Sequence, residues 1–285
     1  MSASRVALVT GASAGIGFQT ALGLVRAGFC VVITGRNEAR MRRSVEALSA
    51  RAAGTSVSAL RADFSSLVAV ERLAERFLEL HDRLDVLVHN AGVWHPHRQL
   101  SEDGYEDTFA VNHLAPFLLT QRLRSALVAA APARVVTVSS RLHERQRRLE
   151  FEALSRERGY RGLHVYAQSK LANVLFANEL GRRLEAEGVL SNSLHPGDVA
   201  TTITRDSEWL SLGMRLASSL LLTPAQGALT SIHCATSDSL ADVTGRYFKR
   251  CREARPSPAA LDREAAARLW QISLEMIESV VGARF

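Results

Sequence analysis

One tyrosine and lysine pair stands out among the residues that could do chemistry. The chain has 285 residues and 35 basic side chains, of which only Lys170 and Lys249 are lysines. Lys170 follows Tyr166 by four positions, and residues four apart lie over the same face of a helix. An ammonium is a compact charge whose proton can be lost or shared, whereas a guanidinium stays charged. The pair therefore predicts a phenol that acts as an acid or base beside an ammonium.

A glycine-rich turn is the second chemical signal. Residues 10–17 read Thr-Gly-Ala-Ser-Ala-Gly-Ile-Gly and join a predicted strand to a predicted helix. Glycine lets a ligand approach the backbone closely, and the free amide groups at a helix start favour phosphate. In this context the pattern predicts a dinucleotide site, and a simple tight turn is the alternative. The residues assigned to the site are Gly11, Ser13, Gly15, Ile16 and Gly17.

The end of the second predicted strand indicates which dinucleotide would bind. Arg36 and Asn37 stand there, and the first carboxylate is Glu38. An NAD protein places an acidic residue on the ribose 2′-hydroxyl about 20 residues after the glycines, whereas an Arg accepts the 2′-phosphate of NADP. The sequence therefore predicts NADP(H), held by Arg36 and Asn37. The alternative is that Arg36 only begins the next helix.

Two further groups of residues follow the third and fourth predicted strands. Asp63 and Phe64 end the third, and Asn90, Ala91 and Gly92 end the fourth. Ligands of open α/β sheets bind outside the carboxyl ends of the strands. We expect Asp63 at the adenine amino group and residues 90–92 beneath the adenosine ribose, although the same residue types are common in turns.

Alternating strands and helices would position these residues. Short apolar runs alternate with longer amphipathic ones, which predicts a doubly wound parallel sheet. We predict one α/β domain over residues 1–285, a Rossmann fold of about seven strands with helices on both faces. Residues 200–240 are predicted to be helical and to border a substrate cleft. The predicted strands are 6–9, 30–34, 56–61, 84–89, 134–139, 189–195 and 245–248.

Composition limits the partners. The formal charge is +6, and seven arginines lie in residues 141–161, which predicts a solvated loop or a contact with an acidic substrate or carrier protein. No DNA-reading motif accompanies them, so we predict no nucleic acid partner. No apolar stretch approaches the roughly 20 residues that span a bilayer, and no targeting segment is evident, which predicts a cytoplasmic protein. The three cysteines and nine histidines lack the spacing of metal ligands, so no metal is expected.

Two more motifs complete a recognisable set. The fifth strand delivers Ser139 and Ser140, and Asn112 lies inside a predicted helix over residues 112–131. With the glycine-rich turn and the Tyr166 and Lys170 pair, the chain resembles the short-chain dehydrogenase/reductase family, in its single-domain branch. Within it the chain resembles the retinol-dehydrogenase-like group. The stretches that carry this resemblance are residues 111–120, 166–176, 195–201 and 223–227.

The resemblance implies roles for the polar residues at the reacting end. Tyr166 would be the general acid/base, Ser140 the hydroxyl that orients the carbonyl, and Lys170 the electrostatic partner of Tyr166. Both Tyr166 and Lys170 would also contact the cofactor. Asn112 would support a water on Lys170. Ser139 remains the alternative to Ser140.

The segment after the sixth strand is implied to meet the cofactor as well. Pro196, Gly197 and Val199 would face the nicotinamide, and Thr201 would lie near phosphate. A plain Pro-Gly turn is the alternative.

The expected reaction is hydride transfer between NADPH/NADP⁺ and a carbonyl or alcohol. A free phenol has a pKa of about 10, and we expect the ammonium and the oxidised nicotinamide to lower the pKa of Tyr166 towards neutrality. The substrate would be a lipophilic or mid-sized ketone, aldehyde or alcohol, and a homo-oligomer is possible. The alternatives are an NADPH-binding sensor or scaffold without turnover, and a C=C reductase.

Overall fold

The computed structural model describes residues 4–52, 54–151, 159–198 and 222–282. Their strands form one sheet in the order β3-β2-β1-β4-β5-β6-β7-β8, in which the pairs are parallel except for β7 and β8. The predicted doubly wound sheet is confirmed, with one short strand more than expected. The strands are β1 Val6–Val9, β2 Cys30–Gly35, β3 Val57–Arg61, β4 Val86–His89, β5 Ala133–Val138, β6 Val189–His195, β7 Tyr247–Lys249 and β8 Arg252–Ala254.

Helices cover both faces of the sheet. The core on one face includes Leu24, Leu48 and Cys234, which belong to α1, α2 and α8. On the other face, α3, α5, α7 and α9 contribute to the second core, where Phe117 and Trp270 pack with ring centroids 4.8 Å apart. Central strands such as β1 are buried along their whole length, as expected for a sheet covered on both sides. The helices are α1 Gly15–Arg26, α2 Glu38–Ser49, α3 Leu67–Leu80, α4 Asp107–Phe109, α5 Ala115–Arg122, α6 Arg124–Ala129, α7 Gly162–Leu184, α8 Pro224–Thr236 and α9 Arg263–Val281.

The helix predicted over residues 112–131 is not regular. A π-helical turn, Ala110–Leu114, separates α4 from α5, and α6 begins only after Leu123. Pro116 has no N–H to donate to the carbonyl of Asn112 four residues earlier, so a regular α-helix cannot continue through this point. Asn112 therefore lies in the wider π turn rather than in an α-helix.

Two histidines are fully buried beside one phenylalanine. The rings of His89 and His113 lie 6.2 and 5.9 Å from the ring of Phe176, centroid to centroid. Their Nε2 atoms contact the hydroxyls of Thr120 at 2.7 Å and Ser273 at 2.8 Å, whereas neither Nδ1 has a partner in the part of the chain that is described. Burial lowers the pKa of each imidazole to about 3. Both histidines are therefore neutral at neutral pH.

Because His89 and His113 are buried in the neutral form, we predict that the free energy of unfolding falls in acid. The unfolded chain protonates them near pH 6.5 but the folded chain only near pH 3, so between these values unfolding takes up protons and acid favours it. Each histidine contributes a slope of up to about 1.4 kcal/mol per pH unit. We expect His113→Leu to show a shallower loss of unfolding free energy in urea than the wild type between about pH 7 and pH 5. Equal slopes for His113→Leu and the wild type would contradict the assignment.

Candidate active site

The turn between β1 and α1 requires glycines, because a side chain at these positions would be strained or would overlap a neighbouring residue. Gly11 and Gly15 have φ values of +64° and +60°, in the left-handed region that favours glycine. A Cβ on Gly11 would lie 2.9 Å from the Cα of Ala91, and a Cβ on Gly17 would overlap the Asn90 amide. No side chain caps the start of α1, so its first amide groups can bind an anion. The cradle fits the pyrophosphate of a dinucleotide.

The loop after β4 is tied to this turn. The backbone amides of Asn90 and Ala91 both donate to Thr10 Oγ1 at 3.0 Å, and Asn90 Nδ2 donates to the carbonyls of Thr10 at 2.9 Å and Gly11 at 3.2 Å. The Asn90 carboxamide nitrogen is thus already hydrogen-bonded within the protein. A ligand at this position would therefore contact the backbone of residues 90–92.

A basic cavity of about 720 Å³ opens beyond the ends of β2 and β3. Arg61 lies near Arg36, since its Nε donates to the Arg36 carbonyl at 3.2 Å. Asp63 is the one acidic residue in the described lining. Four guanidiniums against one carboxylate create a positive potential that suits a phosphate group. The cavity is lined by Ser13, Arg36, Asn37, Arg40, Arg61, Ala62, Asp63, Ala69 and Arg72.

The other predicted residues at this end already have structural partners. Asn37 Oδ1 accepts the Arg40 amide at 2.9 Å and caps α2. Asp63 Oδ1 accepts the amide and the hydroxyl of Ser65 at 3.0 and 2.9 Å. The Phe64 side chain is buried in the core. Among the predicted residues that line the cavity, Arg36 is thus the one with a positive charge, whereas Phe64 can offer a cofactor only its backbone.

The reacting end brings the predicted serine, tyrosine and lysine together. Ser140 follows β5, and its side chain is hydrogen-bonded to Tyr166. Lys170 Nζ lies 5.5 Å from the centre of the Tyr166 ring and donates to the Val138 carbonyl at 3.2 Å. A Cβ on Gly92 would lie 3.3 Å from that Nζ. The nitrogen therefore stands between the end of β5 and the loop after β4, as a reacting centre at the carboxyl edge of the sheet requires.

The two adjacent serines face different ways. Ser139 is buried, and its hydroxyl donates to the Lys170 carbonyl at 2.7 Å, whereas the hydroxyl of Ser140 contacts Tyr166. Ser139 therefore ties β5 to α7, and Ser140 is the serine placed at the phenol.

Serine substitutions should separate these two placements. We expect Ser140→Ala to lower kcat by about 100-fold or more, because it removes a hydrogen-bond donor from the reacting oxygen. Ser139→Ala should lower stability by about 1–3 kcal/mol with a smaller effect on kcat, since it removes a buried link to the α7 backbone. Initial rates at saturating NADPH and urea unfolding measure both. The assignment is contradicted if Ser139→Ala is the variant that loses turnover.

Burial dominates the acidities at this centre. It raises the pKa of Tyr166 to about 12, although the hydrogen bond with Ser140 acts to lower it. Burial also lowers the pKa of Lys170 to about 8. In the protein without cofactor, loss of hydration disfavours both charged groups, and the expected fall of the Tyr166 pKa beside the oxidised nicotinamide stays a prediction for the complex. The phenol is protonated at neutral pH and can donate.

Asn112 connects the π turn to α7. Its carboxamide is fully buried, accepts the Val93 amide at 2.8 Å, and donates to the Val93 carbonyl at 3.0 Å and to Ser169 Oγ at 2.9 Å. Ser169 in turn donates to the Tyr166 carbonyl at 2.8 Å. The side chain of Asn112 thus fixes the loop after β4 against α7.

Sequence reasoning missed Asn173. Its Nδ2 donates at 3.2 Å to the same Val138 carbonyl that receives Lys170, so it helps to fix the end of β5 against α7. Its Oδ1 has no partner within the described ranges. A polar residue between Ala172 and Val174 in an otherwise apolar stretch was the available signal.

The segment after β6 is described only in part. His195 Nδ1 accepts the Arg141 amide at 3.3 Å, and burial lowers the pKa of His195 to about 4. Gly197 has a φ of +98°, and a Cβ there would overlap Leu222. Pro196 precedes this turn, whereas Val199, Thr201 and most of the predicted region 200–240 lie outside the described residues.

The described residues show neither a cluster of metal ligands nor a helix that could span a membrane. In the residues with described positions, no three His, Cys, Asp or Glu side chains are grouped to hold a metal ion. None of the helices in those ranges combines the length and the apolar character needed to cross a bilayer.

Comparisons with known proteins agree with this geometry. The family model described as short chain dehydrogenase matches residues 5–209. Retinol dehydrogenase 12 of Mus musculus is 38% identical over 273 residues, which cover 96% of this chain and 86% of that protein. A solved protein from Mycobacterium paratuberculosis is 30% identical with a TM-score of 0.77, covering 96% of this chain and 93% of that one. A Pseudomonas aeruginosa RhlG/NADP active-site complex is 29% identical with a TM-score of 0.70, covering 87% and 94%.

Proposed function

Because the chain belongs to the short-chain dehydrogenase/reductase family, in its retinol-dehydrogenase-like group, we propose that it is an NADP(H)-dependent oxidoreductase that interconverts a ketone or aldehyde with an alcohol. The observation that carries the proposal is the meeting of Ser140, Tyr166 and Lys170 at the carboxyl edge of the sheet. The substrate we propose is a lipophilic or mid-sized small molecule.

Each residue has a role that its environment supports. Tyr166, protonated at neutral pH because burial raises its pKa to about 12, donates its proton to the carbonyl oxygen during reduction and takes it back during oxidation. Ser140 donates a hydrogen bond to the same oxygen as negative charge develops on it. Lys170 stabilises the phenolate that remains, and Asn112 holds the loop after β4 against the helix that carries both groups.

The chain's own residues also support the choice of cofactor. The uncapped start of α1 and the glycine-rich turn would hold the pyrophosphate, and Arg36 would bind the 2′-phosphate with other arginines of the basic cavity. NADPH would supply the hydride when bound. The similar Pseudomonas aeruginosa RhlG was solved as a complex with NADP, which is consistent with this choice.

The proposal is tested with purified protein, NADPH and a panel of hexanal, decanal, cyclohexanone, retinal and an α,β-unsaturated ketone. We expect NADPH consumption with at least one saturated carbonyl or retinal, and the matching alcohol by mass spectrometry. Tight NADPH binding without turnover of any of these compounds would favour a sensor or scaffold. Reduction of only the C=C bond of the unsaturated ketone would favour the C=C reductase.

A further inference from the structure

A fully buried glutamine lies in the middle of the catalytic helix. Gln168 stands two residues from Tyr166 and two from Lys170 in α7, and none of its surface is exposed. Each helix residue turns by about 100°, so the Gln168 side chain points away from the face that Tyr166 and Lys170 share. A buried carboxamide is costly unless its donors and acceptor are satisfied. What satisfies Gln168 therefore indicates what it is for.

Its hydrogen-bond partners among the described residues belong to the stretch that follows the catalytic serine. Gln168 Oε1 accepts the Glu150 amide at 2.9 Å, and its Nε2 donates to Gln146 Oε1 at 2.9 Å and to the Arg148 carbonyl at 3.1 Å. We call residues 141–151 the post-serine segment. Gln168 therefore attaches the far half of this segment to the helix that carries Tyr166.

The near half of the segment lies at the carboxyl edge of the sheet. Arg141 pairs with Asp198 at 3.1 Å, so the segment bridges the loops that follow β5 and β6. His143 lies against the Ser140 carbonyl, with 2.7 Å between its Nδ1 and that oxygen. Substrates of open α/β sheets reach the reacting atoms from this edge. The position of the segment therefore influences both the access to Ser140 and its placement.

Three further contacts also hold the far half of the segment, one of them the Arg268 guanidinium, which lies 4.6 Å from the centre of the Phe151 ring. Leu149 is buried in the core, and Glu150 lies 3.4 Å from His164 in a partly exposed pair. An exposed pair of this kind contributes little. Arg145, Arg147 and Arg148 are exposed and form no ion pair among the described residues. Within the described ranges, the Gln168 carboxamide is thus the main polar link between the far half of the segment and α7.

We propose that Gln168 is a positioning residue for the reaction proposed above: it fixes the post-serine segment to the catalytic helix and thereby sets the access of the carbonyl substrate to Ser140 and Tyr166. The inference rests on the proposed function for its kinetic part only. Gln168 touches neither Ser140 nor the Tyr166 hydroxyl, so it acts through the segment that it holds.

The test replaces Gln168 with Leu, which has a similar volume but leaves three polar partners unsatisfied. Loss of these hydrogen bonds should increase the population with an open segment, and hence tryptic cleavage after Arg145, Arg147 and Arg148, by about 10- to 100-fold. Mass spectrometry identifies the cleaved bonds. The KM for the panel carbonyl that the wild type reduces fastest should rise about tenfold, while kcat and the KM for NADPH change by less than about threefold.

Two variants control the experiment. Gln271→Leu makes the same chemical change at an exposed position of α9, where Gln271 Nε2 donates to Glu275 at 3.0 Å, and it should match the wild type in cleavage and kinetics. Gln146→Ala removes one of the three links, so it should give an intermediate rate of cleavage. If Gln168→Leu does not fold, the cleavage rate of Gln146→Ala tests whether these hydrogen bonds hold the post-serine segment.

The outcomes separate the two proposals. Unchanged tryptic cleavage in folded Gln168→Leu would overturn the attachment. Faster cleavage with unchanged KM and kcat for the carbonyl would overturn the positioning role and leave only a structural one. If no panel carbonyl is reduced by the wild type, the proposed function fails, and the cleavage comparison still decides whether Gln168 holds the segment.

Discussion

Replacing Tyr166 with Phe is expected to lower kcat by about 100- to 10,000-fold, the range that a positioned general acid contributes. The phenylalanine ring would occupy the buried position of the tyrosine ring, so α7 and the core around it should be retained. What disappears is the hydroxyl that contacts Ser140, and with it the proton donor for the carbonyl oxygen. Single-turnover and steady-state rates with NADPH, together with NADPH binding by fluorescence, measure the effect.

Tyr105→Phe is the matched control. In the wild type, the Tyr105 hydroxyl donates to the Met276 carbonyl at 2.8 Å and contacts Ser279 on α9. Removing it should cost about 1 kcal/mol of stability and leave kcat unchanged. Turnover by Tyr166→Phe within about threefold of the wild type would show that another group protonates the oxygen.

Replacing Arg36 with Asp should reverse the preference for NADPH over NADH. If Arg36 binds the 2′-phosphate as proposed, the change removes a charge-assisted contact and adds a charge that repels the phosphate, so the ratio of kcat/KM values for the two cofactors should fall by about 100- to 1,000-fold. An aspartate at this position can instead accept the ribose 2′-hydroxyl of NADH. Initial rates with both cofactors and one carbonyl measure the ratio.

Arg42→Asp controls for the general loss of positive charge. Arg42 is exposed on α2 and pairs with Glu38 at 3.4 Å, and it does not line the basic cavity. Its replacement should leave the cofactor ratio nearly unchanged. A ratio equally unaffected by Arg36→Asp would mean that Arg36 does not bind the 2′-phosphate.

The sheet could be predicted from the sequence because its strands are short apolar runs separated by amphipathic helices. β8 was missed because the hairpin before it turns through Arg250 and Cys251, with φ values of +52° and +57°. Such turns are usually signalled by Asn or Gly, and neither residue type is present there. The irregular start of the helix at Asn112 was missed although Pro116 was visible, since the prediction followed apolar periodicity alone.

The residue types of the candidate site could be predicted from the sequence, but the directions, partners and burial of their side chains could not. Ser139 and Ser140 are neighbours whose side chains point in different directions at a strand end, and only packing shows that Ser139 faces α7 while Ser140 faces Tyr166. The pKa of Tyr166 depends on how much water its surroundings exclude, which no motif reports. No sequence pattern marks Gln168, because its three hydrogen-bond partners lie in a segment that has neither helical nor strand periodicity.

The most direct test of the central claim follows the hydride itself. NADPH carrying deuterium at both hydrogen positions of nicotinamide C4 is supplied to the wild type with the carbonyl it reduces fastest, and the product is analysed by mass spectrometry and NMR. We predict deuterium on the carbinol carbon, formed by transfer to the carbonyl carbon while Tyr166 protonates the oxygen. Deuterium on a carbon of a former C=C bond, or no labelled product despite NADPH binding, would contradict the proposal that this site reduces a carbonyl.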